Sequence, residues 1–195
     1  MSALSIHNHS GSAGDGAALG GANPCPLGTT ASGTSNLFSR QDHVHQQHYI
    51  YVAEEAASGV NGQTAVSASW NRRGINTEKV DTASLISLSG SQMTVASGTY
   101  RFLASAPAYQ AGTHMVRLQN ITTASTIEIG TSEQAFSTDN IQTRSFVMGQ
   151  FALSSSAVVE LQHYITTGGI AAGMGYPMAV GGISERYAVC EFWKT

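Results

Sequence analysis

Charge is scarce in this sequence: only 11% of its 195 residues are Asp, Glu, Lys or Arg, and the formal net charge is −3. No basic face is available to neutralise nucleic-acid phosphates and no polybasic run to meet anionic lipid, so neither nucleic acid nor membrane insertion is expected. Cysteine is nearly absent, with Cys25 in a turn-like NPCP and Cys190 in an apolar, strand-like stretch. Thiols so far apart make neither a CxxC metal pair nor a disulfide framework, and Cys190 is expected as a small core residue. No apolar run reaches bilayer length, and MSALSIHNHS has no basic n-region and no apolar h-region. The expectation is a chain without a signal peptide, made in a cytoplasm. Convincing amphipathic helices are missing too; only YIYVAEEAA invites one, and its β-branched and aromatic start argues against it.

What is present divides near position 48. Residues 10–36, SGSAGDGAALGGANPCPLGTTASGTSN, are almost wholly small and polar, with Leu19 and Leu27 as isolated apolar positions. Alone, such a stretch buries too little apolar area to offset its ordering entropy. It is either a flexible linker or an extended arm that orders against copies of itself. Histidine pairs spaced by one residue stand at both of its ends, His7 and His9 in IHNH and His43 and His45 in HVHQQH.

Beyond position 48 the hydrophobic period becomes two. In AVVELQHYI, Val159, Leu161, His163 and Ile165 share one face, and Glu160, Gln162 and Tyr164 the other. The same alternation recurs in QMTVASGTYRFLASA, THMVRLQN, STIEIGT, TRSFVMGQFAL and the terminal YAVCEFWKT. Short strands at roughly ten-residue spacing predict an all-β protein, an antiparallel sandwich or jelly roll. The last strand carries few charges and is expected deep in its sheet, with Phe192 and Trp193 on opposite faces. One ring then fills the core and the other meets solvent or a neighbouring subunit.

The segment GTTASGTSNLFSRQDHVHQQH, with Arg40, Asp42, His43, Val44 and His45, resembles the small-residue run leading to Arg-x-Asp-His-x-His of bacteriophage tail-fibre and related virion fibre proteins. IHNHSGSAGDGAALGG is similar to the openings of such fibres. The later series, from EEAASGVNGQTAVSASWNRRGINT through ASGTYRFLASAPAY, VRLQNITTASTIEIGTSE and ELQHYITT to CEFWKT, resembles fibre-tip domains of the C1q/TNF-like trimeric jelly-roll type. SWNRRGINT, with Trp70, Arg72, Arg73, Asn76 and Thr77, is the most distinctive piece. The resemblance implies a homotrimer in which 1–48 is an extended attachment or shaft arm and 49–195 is the jelly-roll head.

Within that frame the paired histidines acquire a purpose. Residues i and i+2 of an extended strand point to one side, so each chain offers two stacked imidazoles, too few for a stable site. Three chains around an axis bring six, which suits an octahedral first-row ion such as Fe(II) or Ni(II) better than tetrahedral Zn(II). Iron is the ion that the resemblance implies for His43 and His45, and for His7 and His9. Asp42 is a candidate outer-shell acceptor for a ring tautomer, although in a regular strand its side chain points to the side opposite His43. His48 breaks the register and is expected at the surface of the neck; His114 and His163 are expected to be packed or exposed rather than ligating.

Signals of catalysis are missing. There is no G-x-S-x-G elbow, GGANPCPLGTT lacks the Gly-Lys-Ser/Thr of a phosphate loop, and the adjacent Glu54 and Glu55 diverge on a strand. The chain is therefore expected not to be an enzyme. Binding residues are sought instead on loops. TTGGIAAGMGYPMAVGGISERY, 166–187, carries Met174, Tyr176 and Met178, whose alternative role is to fill a subunit interface or cap the sandwich. SEQAFSTDNIQTR offers Phe136, Asp139 and Asn140, able to hydrogen-bond carbohydrate hydroxyls. The expectation is a virion fibre protein that joins other virion proteins through its N-terminus and attaches to a host surface polysaccharide or protein. A structural trimerisation, collar or capsid fibre module and a polysaccharide depolymerase remain as rivals, the last disfavoured by the chain's small size.

Overall fold

The computed structural model describes residues 48–195. Twelve strands are found there: β1 His48–Ala56, β2 Ser69–Arg72, β3 Thr77–Asp81, β4 Ile86–Ser89, β5 Gln92–Val95 and β6 Gly98–Tyr109. They continue as β7 Gly112–Asn120, β8 Ser125–Ile129, β9 Glu133–Ala135, β10 Gln142–Leu153, β11 Ala157–Ile165 and β12 Glu185–Lys194. The one stretch that invited a helix is β1. Its alternating Ile50 and Val52 are drawn inward because β12 and β3 flank it on both sides.

Two antiparallel sheets face each other. The first has the order β10-β6-β12-β1-β3, and the second β4-β5-β11-β7-β8, with β2 also paired to β11 and β9 to β7. Strands adjacent in space are mostly distant in sequence, which is the mark of a jelly roll and not of an up-and-down meander. The C-terminal strand is central, as its composition predicted: β12 pairs with β1 on one side and β6 on the other. Cys190 and Phe192 lie wholly inside, and the thiol is pushed well up by burial. Trp193 points outward beside Tyr49, with ring centroids 5.6 Å apart.

The main core joins Ile50, Tyr100, Phe102 and Phe192 of the first sheet to Met93, Leu118, Val159 and Leu161 of the second. Phe151 packs its edge on both Phe102 and Phe192. Burying each such side chain stabilises the fold by roughly 1.5–3 kcal/mol. A second, smaller cluster of Ala65, Ala108, Ala111, Ile165 and Met174 sits near one end. A layer of buried polar groups, Glu54, Arg73, His114, His163 and Ser145, accompanies it.

The register defines two poles. At one, His48 pairs with Lys194 and Gly98 with Leu153; at the other, Ala56 pairs with Glu185 and Tyr109 with Gln142. The chain enters this sandwich at the first pole. The connections β1–β2, β6–β7, β9–β10 and β11–β12 all lie at the second.

Candidate functional site

The second pole gathers both loops that the sequence singled out. Tyr109, the last residue of β6, donates its hydroxyl to Asn140 Oδ1 at 2.7 Å. The Tyr176 ring lies 4.7 Å from the Tyr109 ring, tilted by 38°. The Tyr176 backbone N–H donates to Gln142 Oε1 at 2.6 Å. Asn140 and Tyr176 thus belong to one patch, joined by Tyr109 and Gln142, which the sequence reading did not single out. Phe136, Asp139 and Met178 are also exposed at this pole, Met178 to 81%. An exposed Tyr176 ring on a half-buried Tyr109, beside an amide and a carboxylate, suits a ligand with both an apolar face and hydroxyls.

Met174 is a correction to the loop proposed for contact. It is only 1% exposed and packs with Ala108 and Ile165 in the second cluster. Its backbone is held as firmly, since its N–H donates to the Gln63 carbonyl and its own carbonyl accepts from Arg73 Nη2 at 2.7 Å. Gly175 follows at φ +144, and a Cβ there would run into the Tyr187 ring, so no side chain fits. Past that point the loop is tied by Glu185, whose carboxylate accepts backbone N–H groups from Gly59, Met178 and Ala179. Those bonds hold the Glu185 carboxyl below its ordinary range. Tyr176 and Met178, exposed past that point, are the members of the proposed set in this loop that can meet a partner.

Beneath the patch runs a hydrogen-bonded chain that sequence reasoning missed. Arg73, wholly buried, donates through Nε to Glu54 Oε2 at 2.8 Å and through Nη1 to the Pro107 carbonyl at 3.3 Å. Its Nη1 also faces His163 Nδ1 at 3.5 Å. A guanidinium only donates, so that imidazole nitrogen must carry the lone pair and His163 Nε2 the proton. His163 Nε2 then donates to His114 Nδ1 at 2.9 Å, and His114 Nε2 donates to Thr143 Oγ1 at 2.8 Å. The Thr143 hydroxyl in turn donates to the Gln134 carbonyl at 3.1 Å. Both rings are neutral in this arrangement. Burial pushes the His114 pKa down to about 4, opposed by Glu133 and helped by Arg73, and drives His163 well below the usual histidine range. The chain is not a nucleophile relay: the imidazole nitrogen beside the Thr143 hydroxyl already holds a proton and cannot take another.

Glu54 and Glu55 diverge as expected. Glu54 turns in to Arg73, while Glu55 turns out to Lys79 and Arg186, which draw its carboxyl below the ordinary range against the opposing effect of burial. A register shift between Ala53 and Glu55 in the β1–β12 ladder accompanies the divergence. Of the two positions foreseen for them, packed or exposed, His114 and His163 take the packed one. His48 is half buried at the start of β1 rather than a free surface residue. Its Nδ1 is buried without a hydrogen-bond partner among the described residues.

The outer face of the first sheet is the other notable surface. Met148, Leu103, Glu191 and Tyr51 form one row across four strands, and Phe146 and Val189 belong to the next. Phe146 and Met148 are exposed, and Tyr49 donates its hydroxyl to Glu191 at 2.7 Å. His7, His9, His43 and His45 lie outside the described residues. Among the described residues no three His, Cys, Asp or Glu side chains group as metal ligands would.

No family model matches the chain, and no curated protein sequence matches it. Solved structures do. Murine APRIL at pH 8.0 superposes with a TM-score of 0.52 at 10% identity, covering 77% of this chain and 100% of that one. Murine APRIL at pH 8.5 gives 0.50, also at 10% identity and with the same coverage. The globular domain of zebrafish complement 1qA protein gives 0.48 at 14% identity, covering 76% of this chain and 97% of that one. At such identity the APRIL likeness speaks to the fold alone, and the fold is the antiparallel jelly-roll sandwich of the C1q/TNF type.

Proposed function

We propose that this chain is a homotrimeric virion fibre protein whose jelly-roll head attaches the particle to a host-cell surface. The observation that carries the proposal is the meeting of both candidate loops in one patch, Tyr109, Asn140 and Tyr176, at the pole opposite the chain's entry at His48. The fibre-like sequence of residues 28–48 supports the virion assignment, and the C1q/TNF-type sandwich supports a trimer. On the outer face of the first sheet the exposed Phe146 and Met148, with Trp193 and Tyr49 beside one another in another row, support burial against neighbouring copies. Three weak patches on one head, repeated over several fibres, reach avidity without any strong single contact. Attachment of this kind is binding without catalysis.

In the same proposal His43 and His45 of three chains hold iron on the trimer axis, and His7 and His9 offer a second such set. The ion would supply a cross-link among chains that resists dissociation. A purely structural trimerisation module is the rival reading, favoured by the same apolar sheet face. The test is adsorption of labelled full-length protein to a panel of bacterial strains, alongside light scattering of the wild type and of Tyr176→Ala/Asn140→Ala. A particle of three times 20.4 kDa for both proteins, with adsorption lost only in the variant, supports the attachment reading. Adsorption to no strain, or adsorption unchanged in the variant, refutes it.

A further inference from the structure

A cleft of about 540 Å³ opens beside β9, outside the loop patch, bordered by Met115, Tyr164, Ser132, Glu133, Gln134 and Thr113. Its size falls in the range of about 300–1,000 Å³ usual for small-molecule sites. The cleft exists because the chain between β8 and β9 leaves β7 and leans on β10. Gly130 still bonds Val116 of β7, but the Thr131 N–H donates to the Phe146 carbonyl at 2.7 Å, and Thr131 Oγ1 accepts from the Phe146 N–H at 3.1 Å. Pairing with β7 resumes only where Glu133 meets His114. Gly130 permits the detour, since a Cβ there would strike the Phe146 carbonyl oxygen.

The walls are fixed before any ligand arrives. Tyr164 and Met115 are register partners across β11 and β7, and Trp70 of β2 sets its ring against Tyr164 at 5.4 Å, near edge-on. Arg117 lies over the Trp70 ring, 4.1 Å from its centroid. Thr113 and Thr166 use their hydroxyls on each other, and Thr166 bonds the Thr113 backbone as well. Glu133 keeps one oxygen toward the Thr131 hydroxyl. Among the described residues, this leaves the second Glu133 oxygen, the Ser132 hydroxyl, the Gln134 side-chain amide and the Tyr164 phenol for a ligand.

We infer that this cleft is a second binding site, one that takes an uncharged sugar ring. A pyranose presents one apolar face of C–H groups, matching the Tyr164 and Met115 floor, and a rim of hydroxyls, matching the carboxylate, amide and hydroxyl groups above it. No Lys or Arg lines the cleft, and Glu133 repels carboxylate, sulfate or phosphate substituents. The carboxylate equally disfavours a purely apolar occupant, which would bury it without a partner. The inference stands on the chemistry of the cleft and goes beyond the loop patch.

The test is saturation-transfer NMR on the full-length protein with the methyl glycosides of glucose, galactose, mannose and N-acetylglucosamine, and with sialic acid as the anionic control. Intrinsic fluorescence, read in a Trp193→Phe background so that Trp70 is the sole tryptophan, gives the affinity. The expected result is transfer from at least one neutral glycoside, and affinity more than tenfold weaker in both Tyr164→Ala and Glu133→Ala. Tyr176→Ala, in the loop patch, is expected to leave it unchanged. Glu133→Gln, which keeps shape and hydrogen bonding, is expected to retain part of the affinity and to tell a lost contact from a lost fold. No transfer from any neutral glycoside, transfer that survives both alanine variants, or preference for sialic acid overturns the inference. Failure here with intact cell adsorption leaves the attachment proposal standing; glycoside binding without adsorption does the reverse.

Discussion

Acidification from pH 7 to 5 tests the neutral histidine chain directly. In the unfolded chain a histidine titrates near 6.5, whereas His114 in the fold takes a proton only near pH 4. The folded pKa is depressed, so the unfolded state binds more protons through this window and the stabilisation is complete above 6.5. It is lost as pH falls toward 4. The shift corresponds to roughly 3 kcal/mol in full, of which about 2 kcal/mol is gone by pH 5. The physical cause is geometric. A proton on His114 Nδ1 would oppose the His163 Nε2 proton, and moving the latter to Nδ1 would oppose Arg73. Arg73 and Arg144 add repulsion around the pair, and Glu133 alone offsets it for His114. The carboxyls held low, Glu55 and Glu185, act below about 4.5 and leave this window to the histidines. Urea unfolding followed by fluorescence at pH 7, 6 and 5 gives the slope for the wild type and for His114→Gln. The variant should lose about 1–2 kcal/mol at pH 7 for its altered hydrogen bonds, and its drop between pH 7 and 5 should be smaller than that of the wild type by about 2 kcal/mol, the remainder belonging to His163. Parallel pH profiles for the two proteins would falsify the tautomer assignment.

Three further outcomes are expected. Arg73→Met leaves Glu54 buried without its partner and should destabilise by about 3–5 kcal/mol, while Arg73→Met/Glu54→Leu should recover much of that loss in the same thermal melt. Met174→Ala should lose about 2–5 kcal/mol as a core truncation, whereas Met178→Ala should stay within about 0.5 kcal/mol; equal losses would contradict the division of the loop. If the proposed clamp exists, inductively coupled plasma mass spectrometry of the wild-type protein should find bound iron, and His43→Ala/His45→Ala should lose one site's worth; identical metal content in the two would remove the axial clamp.

The sequence by itself determined that the region beyond 48 is built of strands. A period of two forces side chains to opposite faces whatever the partners are, so β7, β11 and β12 were legible from their own residues. The same rule set Phe192 and Trp193 on opposite faces and turned Glu54 away from Glu55. The low charge of YAVCEFWKT placed β12 inside its sheet, because an edge strand normally carries charges that block further pairing. The tip patch was half legible: Asn140 and Tyr176 came from loop composition, but Tyr109 and Gln142 sit at strand ends and carry no local signal. Met174 stood open between contact and capping the sandwich, and its burial, which favours the second, was not legible for a related reason. A Gly-rich stretch reads as an exposed loop, and nothing local says that Arg73, 101 positions earlier, will pull its carbonyl inward. Only the tertiary structure decided the buried chain. His114 and His163 are 49 positions apart, and Arg73 and His163 are 90 apart. Each looks like an isolated polar residue on an apolar face until β7 and β11 pair and β2 folds alongside. Periodicity reports which way a side chain points, and burial of a charge or an imidazole needs a partner that only strand order can bring.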